Sequence, residues 1–172
     1  MNSERIKARF GSYHVRVLHQ DESRRLANLC SSHDHADVCR TLAVTCFATP
    51  TPSTLTEADA LIRQGHSIGS TLKQAKQQIS REMIAEASVP CGDAFAALTR
   101  HTVCAGDLLY LRLYRLDAGE QGGDLAPYAT IAEAHHPEHT APGTEASSIA
   151  ELTNNMWSED AHSALATLLD AL

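Results

Sequence analysis

The chain has 172 residues, a formal net charge of -7 and a hydrophobic fraction of 43%. That length fits one domain with a real core, and that fraction argues against wholesale disorder. The acidic balance speaks against a general nucleic-acid binder, which needs a basic face for phosphates, but it leaves room for a small anion held by one or two local arginines. Aromatic residues make up 5%, so small aliphatic side chains must fill the core. No apolar run approaches about 18 residues, so no membrane span is expected. The opening MNSERIKARF lacks the apolar stretch of a secretory signal. The cysteines are Cys30, Cys39, Cys46, Cys91 and Cys104, an odd count without a C-x-x-C pair, and reduced thiols in a cytoplasm are expected.

In chain order, Glu4 to Phe10 reads as a short basic helix or lead-in. Tyr13 to His19 alternates as a strand, Asp21-Glu22-Ser23 is turn chemistry, and Arg24 to Ser31 is a second strand. His33 to Asp37 makes a hairpin tip, and Val38 to Ala48 a third strand rich in β-branched residues. Two prolines in Ala48 to Ser53 break it.

The stretch Leu55 to Ile84 organises the rest, with strands expected on either side of it. Thr54 and Glu57 have capping-box spacing, and Leu55, Ala58, Leu61 and Ile62 form one apolar helical face. Gly65 suits a left-handed closing residue, Ser67 begins a second helix, and Gly69 allows a backbone or ligand to come close. From Ile79 the period drops to two, with Ile79, Arg81, Met83 and Ala85 on one side. Pro90 to Arg100 holds a short helix, Asp107 to Leu116 is a strand, Ala118 to Asp124 a loop, and Pro127 to His136 the last strand. An irregular linker is expected over 138–155. A closing helix over 156–172 carries the stripe Ala161, Leu165, Leu168, Leu169 and Leu172, with Ser158 as cap. The order points to an α+β fold with an antiparallel sheet, one domain over 1–172 with its core at about 4–137.

Three groupings bear on chemistry. His33 with His35, and His135 with His136 and His139, are dense enough to hold zinc or nickel, but neither has helical i, i+4 spacing, and solvated loop histidines are the preferred reading. Cys30, Cys39 and Cys46 lie within strands and read as small core residues rather than nucleophiles. Arg25, Arg81 and Glu133 are charges on strands, which either face water, the preferred reading from the residues alone, or are held in a pocket.

On these residues the layout resembles chorismate lyase (chorismate pyruvate-lyase) and, more distantly, the ligand-binding domains of GntR-type regulators. The similarity runs from about Ile6 to Pro137. IKARF resembles the segment entering the family's first strand, and RLANLCSSHDHADVCRT its second hairpin. HSIGSTL resembles its small-apolar-Gly elbow, SREMI the stretch that follows, and TIAEAHHP its last strand. The extra C-terminal helix, the longer loop at Ala118 to Asp124, and His135 and His136 in place of aliphatics depart from the pattern.

The resemblance implies a cofactor-independent, metal-free site that eliminates pyruvate from chorismate or a related enolpyruvyl or aromatic acid. Arg25 would take a carboxylate, and Glu133 would carry the proton, its pKa raised by partial burial. Ile6, Ile68 and Gly69 would enclose the ring. Arg81 would hold a second carboxylate or pair with a neighbouring acid, and the pairing is slightly preferred. The alternatives are a non-catalytic sensor-like domain binding an aromatic acid, and a homodimeric structural module joined through the last helix at Leu165 and Leu169. The expected partner is a small anionic ligand, without nucleic acid or membrane, for a monomer or homodimer.

Overall fold

Alternating strands dominate the chain and join into one sheet. The computed structural model describes residues 2–139, the backbone of 147–148, and residues 157–172. In order they form α1 (Asn2–Phe10), β1 (His14–Gln20), β2 (Arg24–His33), β3 (Ala36–Phe47), a 3-10 turn (Ser53–Leu55), α2 (Thr56–Arg63) and α3 (Ile68–Gln74). There follow β4 (Gln77–Pro90), α4 (Asp93–Leu98), β5 (Leu108–Glu120), β6 (Ala126–His135), a second 3-10 turn (Pro137–His139), β7 (Ser147–Ser148) and α5 (Glu159–Asp170).

The strand order is β1-β2-β3-β6-β5-β4-β7. Every neighbouring pair is antiparallel except the short β7, which runs parallel to β4. The fold is therefore α+β on an antiparallel sheet. The chain leaves the sheet at β3 and re-enters at β4, so the α2–α3 elbow crosses over β6 and β5. The strands that flank the elbow in sequence close into one sheet beneath it. No described helix is long and apolar enough to cross a membrane.

The sheet has two apolar faces. Under the elbow, Leu55, Ala58, Ile62, Ile68 and Leu72 meet Phe47, Tyr114, Leu116, Tyr128 and Ile131. On the other face Leu42, Val44, Leu109, Leu111 and Leu113 meet Phe95 of α4 and Ala161, Leu165 and Leu168 of α5. The elbow is tied down by polar contacts as well. Tyr128 donates to Asp59 at 2.8 Å, Asp59 pairs with Arg63 at 3.3 Å, and the Arg63 guanidinium lies 3.8 Å over the Phe47 ring.

Several local expectations are corrected. Thr54 does not cap α2. A 3-10 turn precedes it, and the Thr56 hydroxyl donates to the Ser53 carbonyl instead. The alternation in β4 breaks at a bulge between Met83 and Ala85. β5 runs on to Glu120 rather than looping at Ala118, because β4 starts at Gln77 and gives its far end a partner. Gly65 is left-handed, with φ of 100°, as its place after α2 suggests. α5 starts at Glu159, with Ser158 Oγ accepting from the Ala161 amide at 3.3 Å. Of its stripe, Ala161, Leu165 and Leu168 are buried against the chain's own sheet, while Leu169 and Leu172 are half-buried. Most of the expected linker, 140–146 and 149–155, lies outside the described residues.

Candidate functional site

Arg25, Ala27 and Leu29 of β2 point toward the elbow, while Leu26, Asn28 and Cys30 point away. Arg25 is 4% exposed. Its Nη1 donates to the carbonyls of Ile62 at 3.2 Å and His66 at 3.0 Å, at the end of α2 where carbonyls face outward. Its Nε makes no hydrogen bond, and no carboxylate forms an ion pair with it among the described residues. Burial pulls its pKa below the ordinary arginine value, yet a guanidinium stays charged. The result is a buried cation compensated by carbonyl dipoles alone.

Glu133 lies in β6, opposite Ala43 on one side and Arg112 on the other. It is 7% exposed. Asn2 Nδ2 donates to its Oε1 at 3.4 Å and to Thr41 Oγ1 at 3.2 Å. His135 Nε2 stands 3.4 Å from Glu133 Oε2, near enough for charge but too poorly aligned for a hydrogen bond. Burial pushes the Glu133 carboxyl up. The His135 ring, the Asn2 amide and the Arg81 charge pull it down and prevail. The expected rise is thus corrected to a fall, and Glu133 is an ionised carboxylate at neutral pH.

Arg25 and Glu133 line one cavity of about 60 Å³ between sheet and elbow, together with Ile68, Gly69 and Arg81. Arg25 sits opposite Thr45 and Glu133 opposite Ala43 of the intervening β3. Strand spacing and rise put their Cα atoms roughly 12 Å apart. The two side chains therefore stand across the cavity rather than in contact. Ile6 is buried on α1 but does not line the cavity; one turn earlier, Asn2 and Ser3 of the same helix do.

Arg81 is exposed, lies 5.9 Å over the Tyr114 ring, and makes no ion pair with an acid among the described residues. The neighbouring acids are taken: Glu82 pairs with Arg115 at 2.7 Å and Glu86 with Arg112 at 3.5 Å. The slightly preferred pairing of Arg81 with an acid is corrected to a longer-range one: no acid lies within ion-pair distance among the described residues, and its charge acts on Glu133, which lines the same cavity. Arg81, Tyr114, Glu133 and Asn2 also border a second hollow of about 210 Å³, which Arg5 and Arg112 make basic. The charge that is negative over the whole chain is thus locally positive here.

Sequence reasoning missed Tyr13, Ser67, Tyr114 and Asn2, all on the cavity wall. The Tyr13 hydroxyl donates to Ser67 Oγ at 3.0 Å, joining β1 to the elbow. Burial, and then the Glu133 charge, raise Tyr114 well above the ordinary phenol value, so it stays protonated. Tyr114 could be read as a strand aromatic, but nothing local marks Asn2 as a partner of a residue in the last long strand.

The histidine groups divide. His33 and His35 are exposed at the hairpin tip. His135, His136 and His139 are buried, which corrects the solvated-loop reading for that group. His135 Nδ1 meets Thr41 Oγ1 at 3.2 Å, and the His139 Nε2 donates to Asn2 Oδ1. Burial first, then nearby positive groups, push His136 down to about 4 and His139 down to about 3. Asn2, Thr41, Glu133, His135 and His139 thus form one buried polar network behind the cavity. The cysteines are free, and all but Cys104 are buried.

No family model matches the chain, and no curated protein matches it. Among solved structures it is similar to the C-terminal domain of YurK from Bacillus subtilis subsp. subtilis str. 168, with 17% sequence identity over 80% of this chain and 84% of that one, and a TM-score of 0.36. A likeness that weak carries no argument about the fold or a ligand; both rest on this chain's own geometry.

Proposed function

We propose that this protein binds a small carboxylate with an apolar body under the elbow, anchored by Arg25. The observation that carries this reading is the buried Arg25 guanidinium, which lines a cavity without an acidic partner. An anion there would supply the missing counter-charge, and the planar fork suits a carboxylate. Ile68, Leu116 and Ile131 offer the apolar wall. The cavity of about 60 Å³ is smaller than the roughly 150 Å³ that holds a benzene ring, so an aromatic acid needs the exposed Arg81 side chain to swing aside and join it to the adjoining hollow of about 210 Å³. Thermal melting with benzoate and 4-hydroxybenzoate tests the reading. At about a hundredfold excess over Kd, binding adds about 2.7 kcal/mol of stability. The upward shift should vanish in Arg25→Met, and a shift that persists there rejects the assignment.

A second reading is favoured by Glu133 sharing that cavity: elimination of pyruvate from chorismate or a related enolpyruvyl acid. The ionised Glu133 takes the ring proton from the carbon bearing the hydroxyl. The neighbouring carbon–oxygen bond breaks and the enolpyruvate leaves with the bonding electron pair. The ring becomes aromatic 4-hydroxybenzoate, and the enolpyruvate takes a proton to become pyruvate. A depressed pKa fits a group that must start ionised, while orientation and aromatisation carry most of the barrier lowering. Mixing with chorismate should release pyruvate, and Glu133→Gln should abolish it. Stabilisation by the aromatic acids without any pyruvate would leave a binding domain alone.

A further inference from the structure

On the sheet face opposite the cavity, side chains from three adjacent strands converge where β1 begins beside the β2–β3 hairpin end. His14 of β1 and Cys30 of β2 are direct cross-strand partners, so both point to the same face. A bulge between Leu29 and Cys30 shifts the β2–β3 register at this point. Asp37 of β3 reaches over β2 and places Oδ1 2.9 Å from His14 Nε2. One donor atom from each of His14, Cys30 and Asp37 lies within 4.8 Å of the others. We propose that His14, Cys30 and Asp37 bind a zinc-class divalent cation.

The donor set argues for that class. Imidazole nitrogen, thiolate sulfur and carboxylate oxygen together suit zinc, cobalt or nickel, whereas magnesium and calcium take oxygen donors. Burial is graded in the same sense. Cys30 is 1% exposed and forms the floor, while the His14 and Asp37 side chains are 36% and 41% exposed and form the rim. Three protein donors with an open outer side leave the fourth tetrahedral position to water. On binding, the Cys30 thiol gives its proton to solvent and coordinates as thiolate; no oxidation state changes. Neither the cavity nor Glu133 takes part, so this inference stands apart from the proposed ligand. Tyr13, Val15 and Leu29, beside these donors in sequence, wall the cavity from the other face. The ion would therefore fasten the strands that carry that wall.

The competing account is an ordinary His14–Asp37 surface pair lying over a core thiol, in which Cys30 never ionises. Cobalt separates the two. The full chain, freed of metal with a chelator, is titrated with Co²⁺ and then with Zn²⁺. One equivalent of Co²⁺ should produce sulfur-to-cobalt charge-transfer absorption, and Zn²⁺ should bleach it and raise the melting temperature. Cys30→Ala should show no such band. Asp37→Asn and His14→Gln, both at half-exposed positions that spare the fold, should weaken binding by at least about tenfold. A double His33→Asn/His35→Asn variant should titrate like the parent. The site is wrong if the parent shows no sulfur band, if the band survives Cys30→Ala, or if losing the tip histidines abolishes it. Equal affinity in Asp37→Asn and His14→Gln would equally overturn it.

Discussion

A guanidinium buried as deeply as Arg25 loses most of its hydration and recovers hydrogen bonds to two carbonyls, those of Ile62 and His66. Replacing it with Met removes the anion anchor and leaves those carbonyls short of a donor. Arg25→Met should cost about 1–3 kcal/mol of stability in urea unfolding, partly offset by the apolar side chain that fills the space. The buried histidines act in the opposite sense on charge. His136 and His139 titrate near 6.5 when unfolded and are pushed down to about 4 and about 3 in the folded chain. Between those values the unfolded state binds more protons, so stability is complete above about 6.5 and declines as pH falls toward 4 and 3. Glu133, also lowered, contributes fully above its unfolded value of about 4.5 and loses that contribution as pH falls from there through its folded value, adding to the loss at the acid end. The urea midpoint should therefore be lower at pH 4.5 than at pH 7.5, and His139→Gln should flatten that difference. Arg25 and Glu133 are visible in sequence as charges inside strands, yet strand position alone favours a water-facing side chain, and only the family resemblance points them into a pocket. Burial of His139 is not visible there, because the Pro-Glu beside it reads as a loop and its partner Asn2 lies 137 positions away.

Among elements, the elbow was the most legible, since its helical spacing and its left-handed Gly65 are local properties. A methyl group at Gly65 would meet Val17 at an ordinary 3.6 Å, so Gly65→Ala is costly through its backbone alone, by about 1 kcal/mol or more. The closing helix was legible through its cap and stripe, but not its destination. Its contacts with β3 and β6 depend on a sheet order that no local pattern encodes. Leu168 is fully buried in that contact. Leu168→Ala should destabilise by about 2–5 kcal/mol, read as a lower urea midpoint with an unchanged slope, while leaving aromatic-acid binding on the other face intact. The capping box expected at Thr54 does not form for a simple reason: the 3-10 turn at Ser53–Leu55 takes the position where Thr54 would have capped.

Across the whole molecule, a single sheet separates two environments. On one face α4 and α5 pack over the central strands; the other holds the elbow, the cavity and the buried polar network. Alternation makes such a division readable only while it is unbroken, which is why the period-two reading of β4 fails past Met83. Before the bulge the odd-numbered Ile79, Arg81 and Met83 face the elbow side; after it the odd-numbered Ala87 and Val89 face the other. Nothing in the residues around Ile84 announces the change, because it arises from pairing with β5. That extra residue shifts which numbers fall on which face without turning the strand itself. Excising Ile84 while β5 keeps its register would leave Met83 opposite Tyr114 and Ala85 opposite Leu113, each on its present face, and Arg81 still opposite Leu116 at the rim of the hollow. The shortened chain should therefore still take up benzoate, with a straighter β4 as the cost.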